Sequence, residues 1–437
     1  MLLATVRKLG PLVGLFALLA GIALGSAFPS YLAWVGAGVD GAFWLLGRAV
    51  PFIIFLVLTP AIVGLLSTGS AGKFAFWVSV AFVLTTFLAG VFAAIFLVLV
   101  FGLPLTPSSG DLGAVLAHVG QQTLAAATGA PAFIAIWYGA LVALFLHYGG
   151  RSPRLAWFCR PTAGTLHRIG IGGIERIGHG VRAVLPGLLF LVGIYIPTKL
   201  ADALSRVGEV GSLAGRDPVL WYFLSVGVLA VALAIFLAMG VLAVCRITGF
   251  SVRAFVREYL VYVYPFAWAT ASSYATVPIN LDRTKALGVR QEIREFIVVL
   301  GATVNLDGTM IGAFVLTVTT SLLVGYTPTA LDILVLILPL AIVSIGAPGI
   351  PGGMALIAPG IVLAILPIPV ALHAAFFAIF VAYAFGLSDQ FRTGVNATDN
   401  GLLCLLFEHW YPAHFAKPGE AAAGSFQAAS AVAPPAR

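Results

Sequence analysis

Long stretches without a single aspartate, glutamate, lysine or arginine constrain this chain more than any other feature. They cover residues 9–39, 49–72, 74–110, 112–150, 183–198, 218–245, 259–281, 308–331 and 333–388. Because a helix needs about 20 apolar residues to cross the hydrocarbon core of a bilayer, several stretches fit one crossing. Stretch 333–388 is too long for one crossing, so we expect it to fold back on itself.

The scarcity of charge excludes several classes of protein. Charged residues make up 9% of the chain and apolar residues 61%, whereas a soluble domain is about 25% charged. So few charges exclude a cytosolic enzyme, a disordered chain and a nucleic-acid partner, despite the net charge of +7. Cys159, Cys245 and Cys404 are too far apart for a disulfide framework or a metal-binding spacing. The sequence predicts an all-α polytopic membrane protein, with the lipid bilayer as a partner.

The distribution of lysine and arginine between alternate loops predicts the orientation. If the N-terminus is inside, the inner cations are Arg7, Lys8, Lys73, those within 151–182, 246–257 and 283–294, Lys417 and Arg437. The outer ones are Arg48, Lys199, Arg206 and Arg216. This imbalance follows the positive-inside rule. We therefore expect a multi-pass protein of the inner (plasma) membrane with both termini in the cytoplasm.

Three segments of the chain need a separate interpretation. The apolar run after Arg7 and Lys8 resembles a signal peptide, but more spans follow it, so we expect a retained first helix. Segment 151–182 fits a cytosolic loop better than a lipid-headgroup or partner site. The tail 416–437 is rich in Ala, Ser, Gly and Pro and is expected to be disordered.

Two of the charge-free stretches are interrupted by helix-breaking residues. The centre of 259–281 contains Ser272, Ser273 and Pro278, and 344–353 contains four glycines and two prolines. Broken backbone at membrane depth is tolerated only where protein or a water-filled cavity supplies hydrogen-bond partners. A pair of such segments indicates the substrate site of a transporter. Two kinked helices are the alternative, but the charges nearby favour re-entrant hairpins.

Four ionisable residues lie within otherwise apolar surroundings: Asp307, Asp389, Arg392 and Asp399. Each costs at least about 2.5 kcal/mol at mid-membrane, so such residues usually mark a pathway or a binding site. Asp307 lies in the polar run 301–309, which is expected to unwind a helix and to offer carbonyl, amide, carboxylate and hydroxyl oxygens. Hard oxygen ligands of this kind suit a small cation.

The last apolar helix carries a polar stripe. At about 100° per residue, its polar side chains fall within an arc of about 120°: Asp389, Arg392, Thr393, Asn396, Asp399 and Asn400. Arg392 offers a fork that matches a carboxylate, and Asp389 can accept from an ammonium group. The stripe therefore suits a zwitterion with an acidic side chain. A structural i,i+3 ion pair between Asp389 and Arg392 is the alternative.

These motifs resemble those of the dicarboxylate/amino acid:cation symporter family, the glutamate-transporter homologues. The Asn-Leu-Asp-Gly-Thr run at 305–309 looks like the family's N-M/L-D-G-T motif. Residues 272–278, 349–353 and 389–396 look like its two hairpin tips and its final helix, with agreeing order and spacing over 259–410. The first half of the chain is similar only in segment layout and in Pro51.

The resemblance implies an elevator-type homotrimer with inverted repeats, about eight transmembrane helices and two re-entrant helical hairpins. Scaffold helices 1–2 would lie in 1–72, and scaffold helices 4–5 with the basic loop in 111–217. The transport domain would comprise helix 3 in 73–110 and residues 218–415. The latter would contain helix 6, hairpin 1 (about 259–281), helix 7 (about 296–325), hairpin 2 (about 333–365) and helix 8 (about 370–410).

The resemblance also implies substrate ligands, which are Ser272, Ser273, Thr309, Ile350, Met354, Asp389, Arg392, Thr393 and Asn396. Ser273 and Asn396 would bind the α-carboxylate. Asp389 and the Ile350 carbonyl would bind the amino group. Arg392, Thr309 and the Met354 amide would bind the side-chain carboxylate. The segment 344–354 would form the extracellular gate.

The implied ligands of the coupling cation are Thr85, Thr86, Gly301, Thr303, Asn305, Asp307, Ser344, Ile345, Asn396, Asp399 and Asn400. In sodium-coupled relatives, an aspartate follows the asparagine of the final helix, which is Asn396 here, by four residues. This chain has Asn400 at that position, and its aspartate, Asp399, lies one residue earlier. Phe82 stands where the family usually has tyrosine. The coupling cation is therefore expected to be Na+ or, instead, H+, and no organic cofactor is expected.

The leading hypothesis is a secondary active symporter for glutamate or aspartate, and not an enzyme. A proton-coupled C4-dicarboxylate symporter of the same family is the alternative, less favoured because Asp389 suits an amino group. A membrane-embedded serine hydrolase using Ser272 or Ser273 is a remote alternative, since the histidines form no motif with these serines. Uptake against a concentration gradient would distinguish a symporter from a passive channel.

Overall fold

The computed structural model describes residues 71–105, 131–166, 215–346, 358–384 and 386–414, together with Gln121, 168–169, Met354 and scattered positions within 16–66 and 187–197. In chain order the helices are α1 Ala71–Phe101, α2 Pro131–Gly149, α3 Pro218–Thr248, α4 Val252–Phe255, α5 Val261–Thr270, α6 Ser273–Ala286, α7 Gln291–Val304, α8 Asp307–Leu323, α9 Ala330–Val335, α10 Ile337–Gly346, α11 Ala358–Ile365, α12 His373–Ala384 and α13 Leu387–His414. A π-helical turn, Val256–Leu260, joins α4 to α5, and a 3-10 turn, Val370–Leu372, precedes α12. The predicted all-α class is confirmed for these residues.

Three helical segments of the described chain are long and apolar enough to cross a membrane: Gly72–Phe101, Leu220–Thr248 and Gln291–Leu323. In an apolar stretch of 18 residues within each segment, 33% of the residues are buried in the first, 28% in the second and 100% in the third. The first two therefore present apolar faces that suit lipid, and the third suits the protein interior. The chain is a membrane protein, and the total of about eight spanning helices stays a prediction.

Residues 252–286 form a helical hairpin that reverses at Ala271 and Ser272. Ala271 adopts the left-handed conformation, with φ 46°, which ends α5. Ser272 begins α6, because its Oγ accepts a hydrogen bond from the Ala275 N–H at 3.3 Å. The two arms lie side by side, since the Tyr259 hydroxyl donates to Asn280 Oδ1 at 2.7 Å. In one continuous helix these two residues would lie roughly 30 Å apart.

Two residues of non-helical backbone, Asn305 and Leu306, separate α7 from α8. The region predicted as helix 7 is thus two helices, and the break falls in the polar run. Gly308 lies in the first turn of α8, where a Cβ would come within 2.5 Å of the Arg392 carbonyl oxygen. This glycine lets the backbones of α8 and α13 approach closely at the break.

Other helices enclose α13 along most of its length. Its residues from 388 to 405 are buried, apart from the half-buried Phe391. It contacts α3, α5, α6, α7 and α8. A membrane helix that carries several charged side chains is thus kept away from lipid by its neighbours.

The region of the predicted second hairpin contains α9, α10 and α11. Thr329 caps α9, and the Asp332 carboxylate accepts from the Thr329 N–H at 2.8 Å, so this isolated charge is part of a helix cap. α10 and α11 pack against each other, while the predicted tip at 347–353 lies outside the described residues. The division into scaffold and transport domains stays a prediction.

Candidate functional site

An ion pair between Asp389 and Arg392 lies inside the helix packing. Arg392 Nη2 donates to Asp389 Oδ1 at 2.8 Å, and the side chains are 1% and 10% exposed for the arginine and the aspartate. The structure therefore contains the i,i+3 ion pair between Asp389 and Arg392 that the sequence left open as the alternative. Burying two charges is costly unless their remaining hydrogen-bonding groups also find partners.

The Arg392 guanidinium is held by three further acceptors. Nε donates to the Ser388 carbonyl at 3.1 Å, Nη2 donates to the Ala384 carbonyl, and Nη1 contacts Met354 Sδ at 3.4 Å. A thioether sulfur is a weak acceptor, and a guanidinium has five N–H groups. One Nη1 hydrogen therefore has no acceptor among the residues that the structure describes. This hydrogen could be donated to a ligand without breaking the ion pair.

Asn396 and Thr309 join α13 to the first turn of α8. Asn396 Nδ2 donates to Thr309 Oγ1 at 2.9 Å, and Asn396 Oδ1 accepts from the Thr309 N–H at 3.2 Å. Asn396 follows Arg392 by one helical turn, so both side chains lie on the face of α13 that meets α8. Thr393 donates instead to the Asp389 carbonyl at 2.8 Å, within its own helix.

An oxygen-rich cluster surrounds the break between α7 and α8. Thr86 Oγ1 donates to Asp307 Oδ1 at 2.8 Å, and Thr85 Oγ1 donates to Asn305 Oδ1 at 3.3 Å. Asn305 Nδ2 donates to Asn400 Oδ1 at 3.0 Å. This cluster combines hydroxyl, amide and carboxylate oxygens from α1, the break and α13. Such hard ligands suit a small cation such as Na+.

Gly301 and Asp399 border the same cluster. A Cβ at Gly301 would overlap Asn400 Oδ1, so the missing side chain makes room for that amide. Asp399 is 6% exposed, and its Oδ2 has no hydrogen-bond partner within the described part of the chain. If Asp399 and Asp307 are both charged, a cation bound at this cluster would be favoured by two carboxylates.

The other predicted ligands lie apart from these contacts. Ser272 caps α6, and Ser273 is buried in the first turn of that helix. The Thr303 hydroxyl lies 3.3 Å from the Tyr274 hydroxyl, and Ser344 Oγ lies 3.7 Å from Met310 Sδ. Ile350 lies outside the described residues, as does the side chain of Ile345.

Three buried polar residues near the site were not predicted from the sequence: Gln390, Tyr259 and Asn280. Gln390 is 1% exposed, and neither atom of its amide group has a partner among the described residues. It lies outside the predicted stripe, although a polar residue next to Asp389 was a signal. Tyr259 and Asn280 both donate to the Ala397 carbonyl, at 3.0 and 2.7 Å. No local pattern predicts a contact between positions so distant in sequence.

Comparison with known proteins identifies a matching family. The sodium:dicarboxylate symporter family matches residues 208–410, a range that contains α3 to α12 and most of α13. The family resemblance that the sequence motifs predict is thereby confirmed. The match also includes both helix breaks and the ion pair described above.

Individual relatives cover most or about half of the chain. It is 25% identical over 416 residues to "C4-dicarboxylate transport protein 2" of Pseudomonas paraeruginosa (strain DSM 24068 / PA7), covering 91% of this chain and 89% of the relative. The protein of the same name from Pseudomonas aeruginosa (strain UCBPP-PA14) gives the same identity and coverage. "Proton/sodium-glutamate symport protein" of Bacillus subtilis (strain 168) is 25% identical over 249 residues, 56% of each chain. These names differ in substrate, so they leave the substrate of this chain open.

Proposed function

We propose that this chain, which matches the sodium:dicarboxylate symporter family over residues 208–410, is a secondary active symporter for an acidic amino acid, glutamate or aspartate. The observation that carries the proposal is the buried pair of Asp389 and Arg392, one turn from Asn396 and its partner Thr309. These four side chains offer an anion, a cation and neutral polar groups within two neighbouring helices. That combination matches the groups of a zwitterion with an acidic side chain.

Substrate binding would exchange one ion pair for two. The substrate ammonium group would take Asp389 as its partner, which would release Nη2 of Arg392. Nη1 and Nη2 together would then hold the side-chain carboxylate in a bidentate contact. A C4-dicarboxylate cannot complete this exchange, because it brings no cation to Asp389. The mechanism therefore favours an amino acid over a dicarboxylate.

Cation coupling would act through the break between α7 and α8. Asp307 and Asn305 belong to the oxygen-rich cluster, and Thr309 follows Asp307 by two residues in the first turn of α8. A cation that orders this segment would also position Thr309 and Asn396 for the substrate. Each ligand then raises the affinity for the other, as linkage requires. Na+ fits the oxygen donors, and H+ is the alternative coupling ion.

The family resemblance supports the larger-scale part of the proposal. The protein would be a homotrimer in the plasma membrane. Each subunit would carry its substrate and coupling cation across the bilayer by an elevator movement of the transport domain. Residues 344–354 would close over the substrate from outside, with Ile350 and Met354 as ligands. The serine hydrolase alternative gains no support, because Ser272 Oγ caps α6 and His373 Nε2 contacts the Ile368 carbonyl.

A C4-dicarboxylate symporter is the second candidate, favoured by the names of the two Pseudomonas relatives that cover most of the chain. Uptake into proteoliposomes distinguishes the two candidates. Labelled glutamate, aspartate and succinate are offered under Na+ and H+ gradients imposed separately, with wild type and Arg392→Ala. We expect cation-driven uptake of an acidic amino acid by wild type and its loss in Arg392→Ala. No uptake of any acidic substrate would contradict the proposed function, and unchanged uptake by Arg392→Ala would contradict the role of the arginine.

A further inference from the structure

Gly312 lies where α8 passes the side chain of Arg392. A Cβ at this position would overlap Cδ of the arginine and would come within 2.9 Å of Cγ and 3.1 Å of Nε. Arg392 is 1% exposed and is among the largest fully buried side chains of the described residues. Because its surroundings are closely packed, a methyl group at 312 can be accommodated only if the arginine moves.

The other sides of Arg392 are fixed by polar contacts. Nε is held by the Ser388 carbonyl, Nη2 by the Ala384 carbonyl and Asp389, and Nη1 by Met354. None of these hydrogen-bond acceptors belongs to α8. The contribution of α8 is a bare stretch of helix surface at Gly312, against which the aliphatic part of the arginine lies.

We propose that Gly312 is a specificity-determining position, because the space it leaves lets the Arg392 side chain lie along α13 and hold its guanidinium against Ser388, Ala384 and Asp389. The inference rests on the proposed function and concerns the same site. A side chain at 312 would push Cδ and Nε of the arginine away from α8 and break the contact with Ser388. An acidic substrate would then lose the charged partner of its side-chain carboxylate, whereas a neutral amino acid would lose nothing. The preference would therefore shift from acidic towards neutral amino acids.

The test measures binding of aspartate, glutamate, serine and alanine to purified wild type, Gly312→Ala, Arg392→Ala and the double variant. We expect Gly312→Ala to weaken binding of the acidic substrate at least about tenfold, as for the loss of a charged hydrogen-bond partner. Binding of neutral amino acids should not weaken. The double variant should bind no worse than Arg392→Ala, since both changes act on one guanidinium. Gly227→Ala is the control, because a Cβ at that position on α3 meets nothing within 4 Å.

Acidic-substrate affinity within about twofold of wild type in Gly312→Ala would overturn the inference. A double variant that binds much more weakly than Arg392→Ala would also overturn it, since the two changes would then act independently. Thermal unfolding separates displacement of the arginine from general misfolding. Because Arg392→Ala is itself destabilising, a clash with Arg392 predicts that Gly312→Ala lowers the melting temperature less in the Arg392→Ala background than in wild type. If Gly312→Ala lowers the melting temperature equally in both backgrounds, the glycine is required for other packing and the inference fails.

These results also separate the inference from the proposed function. Wild type that binds and transports no acidic substrate refutes the proposed function. If wild type and Arg392→Ala behave as expected but Gly312→Ala keeps its acidic preference, only the role of the glycine is refuted.

Discussion

Thr86 is the residue through which α1 holds the Asp307 carboxylate. Its hydroxyl donates to Oδ1 at 2.8 Å, and both side chains are buried. Thr86→Val keeps the shape of the side chain and removes the donor, and losing a hydrogen bond to a charged group costs about 1.5–3 kcal/mol. We expect the half-saturating concentration of the coupling cation to rise at least about tenfold, measured as substrate uptake against cation concentration. Thr86→Ser keeps the hydroxyl and should stay close to wild type, and an equal loss in both variants would contradict the assignment.

The residues around Arg392 show what helical spacing predicts and what it does not. Spacing correctly placed Asp389 and Arg392 on one face of a helix, because side-chain directions follow from about 100° per residue. The same angles allow an ion pair or two separate ligand contacts, so spacing could not decide between them. Gly312 and Met354 contact Arg392 from other elements, and tertiary packing alone brings them there.

Among the helices, two sets of hydrogen bonds join the first hairpin and the segment after it to α13. Tyr259 and Asn280, one from each side of the hairpin, share the Ala397 carbonyl. Farther from the tip, Arg290 precedes α7 and bonds to Glu408 near the end of α13. These contacts hold the base of the hairpin against α13. The serine-rich tip at Ala271–Ser273 is the end farthest from this anchor.

Glu408 is the buried partner of Arg290 in the second of these contacts. Its carboxylate accepts from the Arg290 Nε at 2.8 Å and from the Arg290 N–H at 2.9 Å, and it is 4% exposed. Glu408→Leu would leave a partly buried arginine without this partner, so we expect a loss of about 2 kcal/mol in the free energy of unfolding. Thermal or denaturant unfolding in detergent measures it. Glu258→Leu is the matched control, because Glu258 pairs with Arg257 at the surface and should cost less than about 1 kcal/mol. Equal losses would contradict the structural role of Glu408.

The helix breaks were predictable because they are local. A run of polar residues weakens a helix wherever it lies, so the sequence alone predicted the break near Asn305 and the reversal near Ser272. The boundaries were less predictable, since the first hairpin extends from Val252 to Ala286 through contacts between its arms. The interrupted segment 344–353 was equally clear in sequence, but most of it lies outside the described residues.

At the scale of the whole molecule, the cation-rich ends of the helices meet on one side. Lys73 at the start of α1 donates to the His414 carbonyl at the end of α13, and Arg290 before α7 pairs with Glu408. Arg216, which is predicted to lie outside, donates to the Leu322 carbonyl near the end of α8, at the opposite end of the helices. This grouping agrees with the cytoplasmic C-terminus that the positive-inside rule predicts, and the orientation stays a prediction.

Cysteine labelling tests this orientation. Lys285 in the last turn of α6 and Thr327 in the loop between α8 and α9 are exposed at opposite ends of the helices. A membrane-impermeant maleimide applied to right-side-out vesicles should label Thr327→Cys and should label Lys285→Cys only after permeabilisation. Cys159, Cys245 and Cys404 are buried, and the unmodified chain is the control for their background. The reverse labelling pattern would show that the orientation is inverted.

In the proposed mechanism Asp389 and Arg392 together select a zwitterion with an acidic side chain, and a comparison of aspartate with succinate tests this selection. The two molecules differ by one ammonium group, which would bind Asp389. Equilibrium binding to purified wild type should favour aspartate over succinate at least about tenfold, and Asp389→Asn should abolish that preference while Arg392 remains. Wild type that prefers succinate, or an Asp389→Asn variant that still prefers aspartate as strongly as wild type, would contradict selection of the substrate by this ion pair.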